Sequence, residues 1–182
     1  MSDTVHLAVA HAPLRVLVLC TRNSARSQIA EALFMTLGGE GVAAASAGSD
    51  PGPGVHPLAV ATLAAIGIDW HGRPSRSIDA VINDPWDAVI TVCDAARDAC
   101  PYMPTAGLTA HWGMEDPAAA PGGPDAQRVA FDVTRDRLRE AVKAFLAIVG
   151  RLCAGEVAVT LRDALDAGGR ALAQSAPTTF TQ

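Results

Sequence analysis

Residues 14–34 read LRVLVLCTRNSARSQIAEALF. The apolar run from Leu14 to Leu19 shows no alternation, the pattern of a strand buried on both faces. It stops at Cys20, a short polar loop follows, and helical spacing begins at Ser27. Ile29, Leu33 and Leu37 share one face with Ala30 and Phe34 beside it, and Gly38 and Gly39 stop the helix. A buried strand, a loop and a helix in this order open a βαβ unit.

Outward from this unit the alternation continues. Val42–Ala47 is a weak second strand, and SDPGPGVHP is a loop broken by Gly and Pro. His56–Ile66 reads as a second helix closed by Gly67. Ala88–Val92 in WDAVITVC is a third strand, and it too ends at a cysteine, Cys93. Leu108–His111 is a fourth strand. From Asp125 to about Leu152 a long amphipathic helix keeps Phe131, Leu138, Val142, Phe145, Val149 and Leu152 on one face. Strands alternating with helices predict an open α/β sheet with right-handed crossovers, whose sites form at the carboxyl ends of the strands. Cys20 and Cys93 both sit there. Residues 1–12 read as a loose leader, 13–153 as a single domain, and 154–182 as an appendix with a short helix and a frayed tail.

The chain has 182 residues, enough for one domain with a real core. Aromatics are 4% of residues, so Ala, Val and Leu carry the burial, as suits helices packed on a sheet. A formal net charge of −5 leaves no broad basic surface for nucleic acid or anionic lipid. Any bound anion must be held by local geometry. No apolar run approaches the roughly 18 residues of a membrane span. The start, MSDTVHLAVAHAP, lacks a basic region and a long apolar core, so a cytoplasmic protein is expected. In a reducing compartment Cys20, Cys93, Cys100 and Cys153 are more often buried or catalytic than disulfide-bonded.

The loop after Cys20 comprises Thr21, Arg22, Asn23, Ser24 and Ala25, then Arg26 and Ser27. Between a strand and a helix N-terminus, its backbone N–H groups and the helix dipole make a socket for a tetrahedral oxyanion. Arg26 adds a planar fork for two oxygens. The same positive field favours the thiolate of Cys20, the nucleophilic form. Ser27 is placed to donate to the sulfur, and Asn23 to hold the loop in a left-handed turn. The plain alternative is a buried cysteine in a structural join, with Arg26 on the surface. Five residues between Cys and Arg-Ser, placed between strand and helix, favour catalysis.

CTRNSARSQIAEALF resembles the loop of the low-molecular-weight protein tyrosine phosphatase superfamily, and its arsenate reductase branch most closely. The resemblance runs from residue 14 to about 148 and implies a four-stranded parallel sheet flanked by helices. In that superfamily the general acid is an Asp immediately before a Pro, which Asp116-Pro117 in HWGMEDPAAA matches. Glu115 then reads as a solvated neighbour, and His111 and Trp112 as packing groups. VITVCDAARDACP sets Cys93 and Cys100 seven residues apart. By spacing alone these are two inert thiols on one helix face, and zinc is poorly supported. Thioredoxin-coupled arsenate reductases, however, carry two redox cysteines at this place with this spacing.

The activity this resemblance implies is reduction of arsenate to arsenite through Cys20, Cys93 and Cys100. Phosphate or sulfate would act as oxyanion mimics, and thioredoxin or an equivalent dithiol as reductant. No organic cofactor, catalytic metal, nucleic acid or membrane is implied, and the chain is expected to be a monomer. Seven helical residues rise about 10.5 Å. A disulfide needs Cα atoms within roughly 7 Å, so a helical 93–100 segment would have to unwind when its cysteines pair. Asn23, Glu31 and Ser46 resemble ligands of a monovalent-cation site found in some members, but Arg76 in PSRSID stands where an acid is expected and argues against a cation. Cys153 lies outside the pattern as an incidental thiol. Two other readings share the loop: a phosphatase of phosphotyrosine or small esters, and a non-catalytic oxyanion-binding or redox-sensing module.

Overall fold

The computed structural model describes residues 13–95, 106–155 and 158–175. Within them, strands β1 (Leu14–Cys20), β2 (Val42–Gly48), β3 (Trp86–Thr91) and β4 (Ala106–His111) form one parallel sheet in the order β2-β1-β3-β4. Register runs from Leu14↔Val42 to Cys20↔Gly48 on one side of β1, with Leu19↔Thr91 on the other. The carboxyl ends of the two central strands are therefore level, and Cys20 and Cys93 emerge side by side.

Side chains of β1 point alternately to the two faces. Val16 and Val18 pack with Ile29, Leu33 and Phe34 of α1 (Arg26–Gly38) and with Leu138, Val142 and Phe145 of α3 (Gly123–Cys153). Leu17 and Leu19 face Ala45, Ala47, Ile78, Val81, Trp86 and Val89. Both faces are covered, so Val16–Leu19 are at most 1% exposed. This is the physical origin of the unalternating run. The helix α2 (Pro57–Ala64) is shorter than its expected span. His56 is its N-cap, accepting the Leu58 N–H on Nδ1 at 3.1 Å, and Gly67 turns the chain away with φ 82°.

The segment set apart as an appendix holds a 14-residue helix, α4 (Leu161–Gln174). A capping box starts it. Thr160 Oγ1 accepts the Asp163 N–H, and Asp163 Oδ2 accepts the Thr160 N–H at 2.7 Å. Leu161, Ala164, Leu165 and Leu172 are buried in the same core as α1 and α3. The core thus extends past residue 153.

Candidate active site

The loop from Cys20 to Ala25 joins β1 to the N-terminus of α1. Asn23 adopts φ 47°, the left-handed turn expected of it. This aims its backbone N–H at the Cys20 sulfur, 3.1 Å away. Gly48, at the end of β2, makes room for the turn. A Cβ there would stand 2.9 Å from the Asn23 nitrogen and closer still to the Thr21 carbonyl oxygen.

The Asn23 side chain is fully buried, and its partners fix its orientation. The Arg76 backbone N–H can only donate, and it lies 2.7 Å from Asn23 Oδ1, which also accepts from Gln28 Nε2 at 3.1 Å. Asn23 Nδ2 therefore donates to Ser27 Oγ at 3.0 Å and Ser46 Oγ at 2.7 Å. With its oxygen accepting from Asn23, Ser27 has its hydroxyl hydrogen left for Cys20 Sγ, 2.9 Å away. Cys20, 3% exposed, thus sits under two donors aimed at its sulfur, just before the N-terminus of α1.

Beneath this lies Glu31, 2% exposed. Its Oε2 accepts from Ser46 Oγ at 2.5 Å and its Oε1 from Arg76 Nη2 at 2.7 Å. Burial pushes the Glu31 carboxyl above its ordinary value, while Ser46 and the charges of Arg76 and Arg73 pull it partway back. Asn23, Glu31 and Ser46 do meet here, together with Arg76. The N–H groups of Asn23 and Arg76 take the oxygens a cation would need, and the Arg76 guanidinium supplies the positive charge itself. Among the described residues no group of three or more His, Cys, Asp or Glu is placed to hold a metal ion.

Arg26 reaches over the loop. Its Nη1 donates to the Met114 carbonyl at 3.0 Å, and Nη2 lies 3.3 Å from Asp116 Oδ2. Its buried Nε has no hydrogen-bond partner among the described residues, a donor that suits an oxyanion. Asp116 caps the short 3-10 turn Pro117–Ala119, with Oδ1 accepting the Ala118 N–H at 3.1 Å, so the loop carries its other oxygen toward Arg26. That loop leaves the sheet along β3: the Trp112 N–H donates to the Thr91 carbonyl and the Met114 N–H to that of Val92.

Cys93 is buried, with its sulfur 3.4 Å from Thr21 Oγ1. Thr21 is the neighbour of Cys20, so a second thiol stands beside the loop that holds the first. Of the remaining expected residues, Arg22 turns outward to Asp50 at 2.6 Å, half its side chain exposed. Ser24 and Ala25 shape the loop through their carbonyls, which accept the His56 and Ile29 N–H groups. Glu115 is exposed, and His111 bridges Thr91 and Asp94 at 2.8 and 3.0 Å. Cys153 is exposed at the end of α3. Cys100 and its spacing to Cys93 lie outside the described residues.

Three contributors were not evident in the sequence. Gln28 donates to Asn23, and Trp70 donates to Gln28 Oε1 at 2.8 Å. Ser75 donates to the Asn23 carbonyl at 2.7 Å. A polar Gln28 on the inward face of an apolar helix was the one local sign of this.

A loop of this geometry, at the end of the first strand of such a sheet and facing an Asp-Pro turn, defines a class of oxyanion-handling enzymes built around a cysteine. The model of the low molecular weight phosphotyrosine protein phosphatase family matches residues 15–154, and the chain belongs to that family. It is 37% identical over 127 residues to an arsenate reductase of Bacillus subtilis (strain 168), covering 70% of this chain and 91% of the relative. Among solved structures, an arsenate reductase in the phosphate binding state superposes with a TM-score of 0.63 at 33% identity, over 74% of this chain and 97% of that one. A thioredoxin-dependent arsenate reductase of Corynebacterium glutamicum superposes with a TM-score of 0.55 at 32% identity, over 74% of this chain and 63% of that one.

Proposed function

We propose that the chain reduces arsenate to arsenite by a three-thiol relay. Arsenate sits on the loop N–H groups and Arg26. The Cys20 thiolate attacks arsenic, Asp116 delivers a proton to the departing oxygen, and water leaves. Cys93 then attacks the Cys20 sulfur. The sulfur–arsenic bond breaks with its electron pair going to arsenic, which becomes arsenite, and a Cys20–Cys93 disulfide forms. Cys100 attacks Cys93, restoring the Cys20 thiolate and leaving a Cys93–Cys100 disulfide, which a thioredoxin-type dithiol reduces.

The observation that carries this reading is the Cys93 sulfur against Thr21, at the mouth of the Cys20 loop. Ester hydrolysis has no use for a second thiol there, whereas the relay requires one. Similarity to a thioredoxin-dependent arsenate reductase supports the choice of reductant. A relay that runs on reduced thiols supports a cytoplasmic location, and no helix among the described residues is long and apolar enough to cross a membrane. A monomer suffices for this chemistry, and light scattering tests that part.

The test is arsenate-dependent NADPH consumption coupled through thioredoxin and its reductase. Wild type turns over, and Cys93→Ser and Cys100→Ser do not. Absence of arsenate turnover, with phosphate-ester hydrolysis indifferent to both substitutions, overturns the reading in favour of a phosphatase.

A further inference from the structure

We propose that α4 is a positioning element for the acid loop, holding Asp116 in place through Trp112. The inference rests on the reading of Asp116 as the proton donor. Trp112 lies four residues before Asp116 and is 1% exposed. Its ring packs against Phe34 and Phe145, with centroids 6.0 and 6.2 Å away, and its far side meets α4. Its Nε1–H donates to the Leu165 carbonyl at 3.0 Å.

The fit is tight at one residue. A Cβ on Gly168 would stand 2.6 Å from Trp112 Cη2 and closer still to Cζ2, whereas on the adjacent Gly169 it would lie at an ordinary 3.5 Å. A glycine inside a helix lowers helix propensity, and here its missing side chain admits the indole. The helix is itself anchored on both sides. Arg137 Nη2 donates to the Leu172 carbonyl at 3.2 Å from α3, and Arg162 Nη1 donates to Thr109 of β4 at 2.8 Å.

From Trp112 the restraint passes directly to the reacting groups. The loop it anchors presents the Met114 carbonyl to Arg26 and the Asp116 carboxylate 3.3 Å from the same guanidinium. α4 lies beyond residues 15–154, the stretch shared with the family, so this clamp is added to the common domain from outside.

The adjacent glycines supply the test. Gly168→Ala displaces Trp112; Gly169→Ala adds the same methyl without a clash. For Gly168→Ala the expected result is a roughly 10- to 100-fold lower kcat with arsenate, the scale of a small misplacement of a reacting group. The alkylation rate of Cys20 stays at its wild-type value, and amide exchange over residues 113–118 speeds up. Gly169→Ala matches wild type throughout. In an Asp116→Asn background Gly168→Ala brings no further loss, because the two act on one step. Trp112→Phe, which keeps a ring but loses the N–H, gives the same pattern more weakly and serves if Gly168→Ala does not fold. Losses that add in the Asp116→Asn background, or a Gly168→Ala enzyme with wild-type kcat and exchange, overturn the inference. A wild type without arsenate turnover refutes the proposed function instead, and exchange over 113–118 still decides the role of α4.

Discussion

Arg76→Ala removes the positive charge from Glu31 and leaves everything else on that carboxylate in place. Losing one partner of a fully buried ion pair costs about 3–5 kcal/mol. Arg76 is 36% exposed, so part of its charge is already answered by water, and Ser46 still donates to Glu31. A loss of about 2 kcal/mol is the reasonable middle between a buried and a surface pair. For a chain of this size that is a fall in Tm of roughly 4–8 °C. The effect has a sign in pH. The folded-state pKa of Glu31 is already raised above its ordinary 4.5, and without Arg76 it rises further. Below the unfolded value the carboxyl is protonated in both states, so wild type and variant differ little. As pH climbs past it, both folded forms at first resist ionisation; the gap opens as the wild-type carboxyl ionises beside Arg76 and widens until the variant's carboxyl has also ionised. Urea unfolding at pH 4.5 and pH 8 measures this directly. A deficit equal at the two values would mean that Arg76 contributes packing rather than charge, and would refute the argument.

Three further outcomes follow from the same geometry. Ser27→Ala deletes the hydroxyl donor to the Cys20 sulfur, and since hydrogen bonds to charged groups contribute about 1.5–3 kcal/mol, alkylation of Cys20 at pH 7 should slow by about ten-fold or more; an unchanged rate would show that the Asn23 N–H suffices. Asn23→Ala combines a left-handed backbone, costing a non-glycine residue roughly 1–2 kcal/mol, with loss of its donors, so calorimetry should register both weaker phosphate binding and lower stability. Phe34→Ala opens the core between Trp112 and Phe145 and should destabilise by about 3–5 kcal/mol in urea titration, the cost of truncating a fully buried aromatic.

The first βα unit announced itself because burial on both faces leaves a sequence mark: an apolar run with no alternation, ended by a polar loop. The placements of Cys20, Arg26 and Ser27 followed from that unit alone. Glu31 was harder to interpret, since an acid on a buried helical face gains meaning only with its partners, and Arg76 arrives from 45 residues away. Gln28 and Ser75 stayed hidden for the same reason: their work is hydrogen bonding across the fold, which has no periodicity. Asp116 depended on resemblance, because Asp-Pro is a common loop opening and only the packed structure brings it to Arg26. The last helix was undervalued. Its capping box and apolar spacing predict a helix, but nothing local says that Gly168 receives a tryptophan from another loop.

The level carboxyl ends of β1 and β3 have a kinetic meaning. Neighbouring strands stand about 5 Å apart wherever they pair, and the Val92 N–H bonds the Leu19 carbonyl at 2.9 Å just before both cysteines. A thiol mounted on such a frame does not have to diffuse to its partner. Well-oriented groups on one molecule react as though present at about 10^5–10^8 M, far above any dissolved thiol. For the relay proposed above, the sheet spacing would therefore act as a competition rule: an adduct on Cys20 would pass its oxidising equivalent to the neighbouring thiol before small thiols in solution, far more dilute, could intercept it.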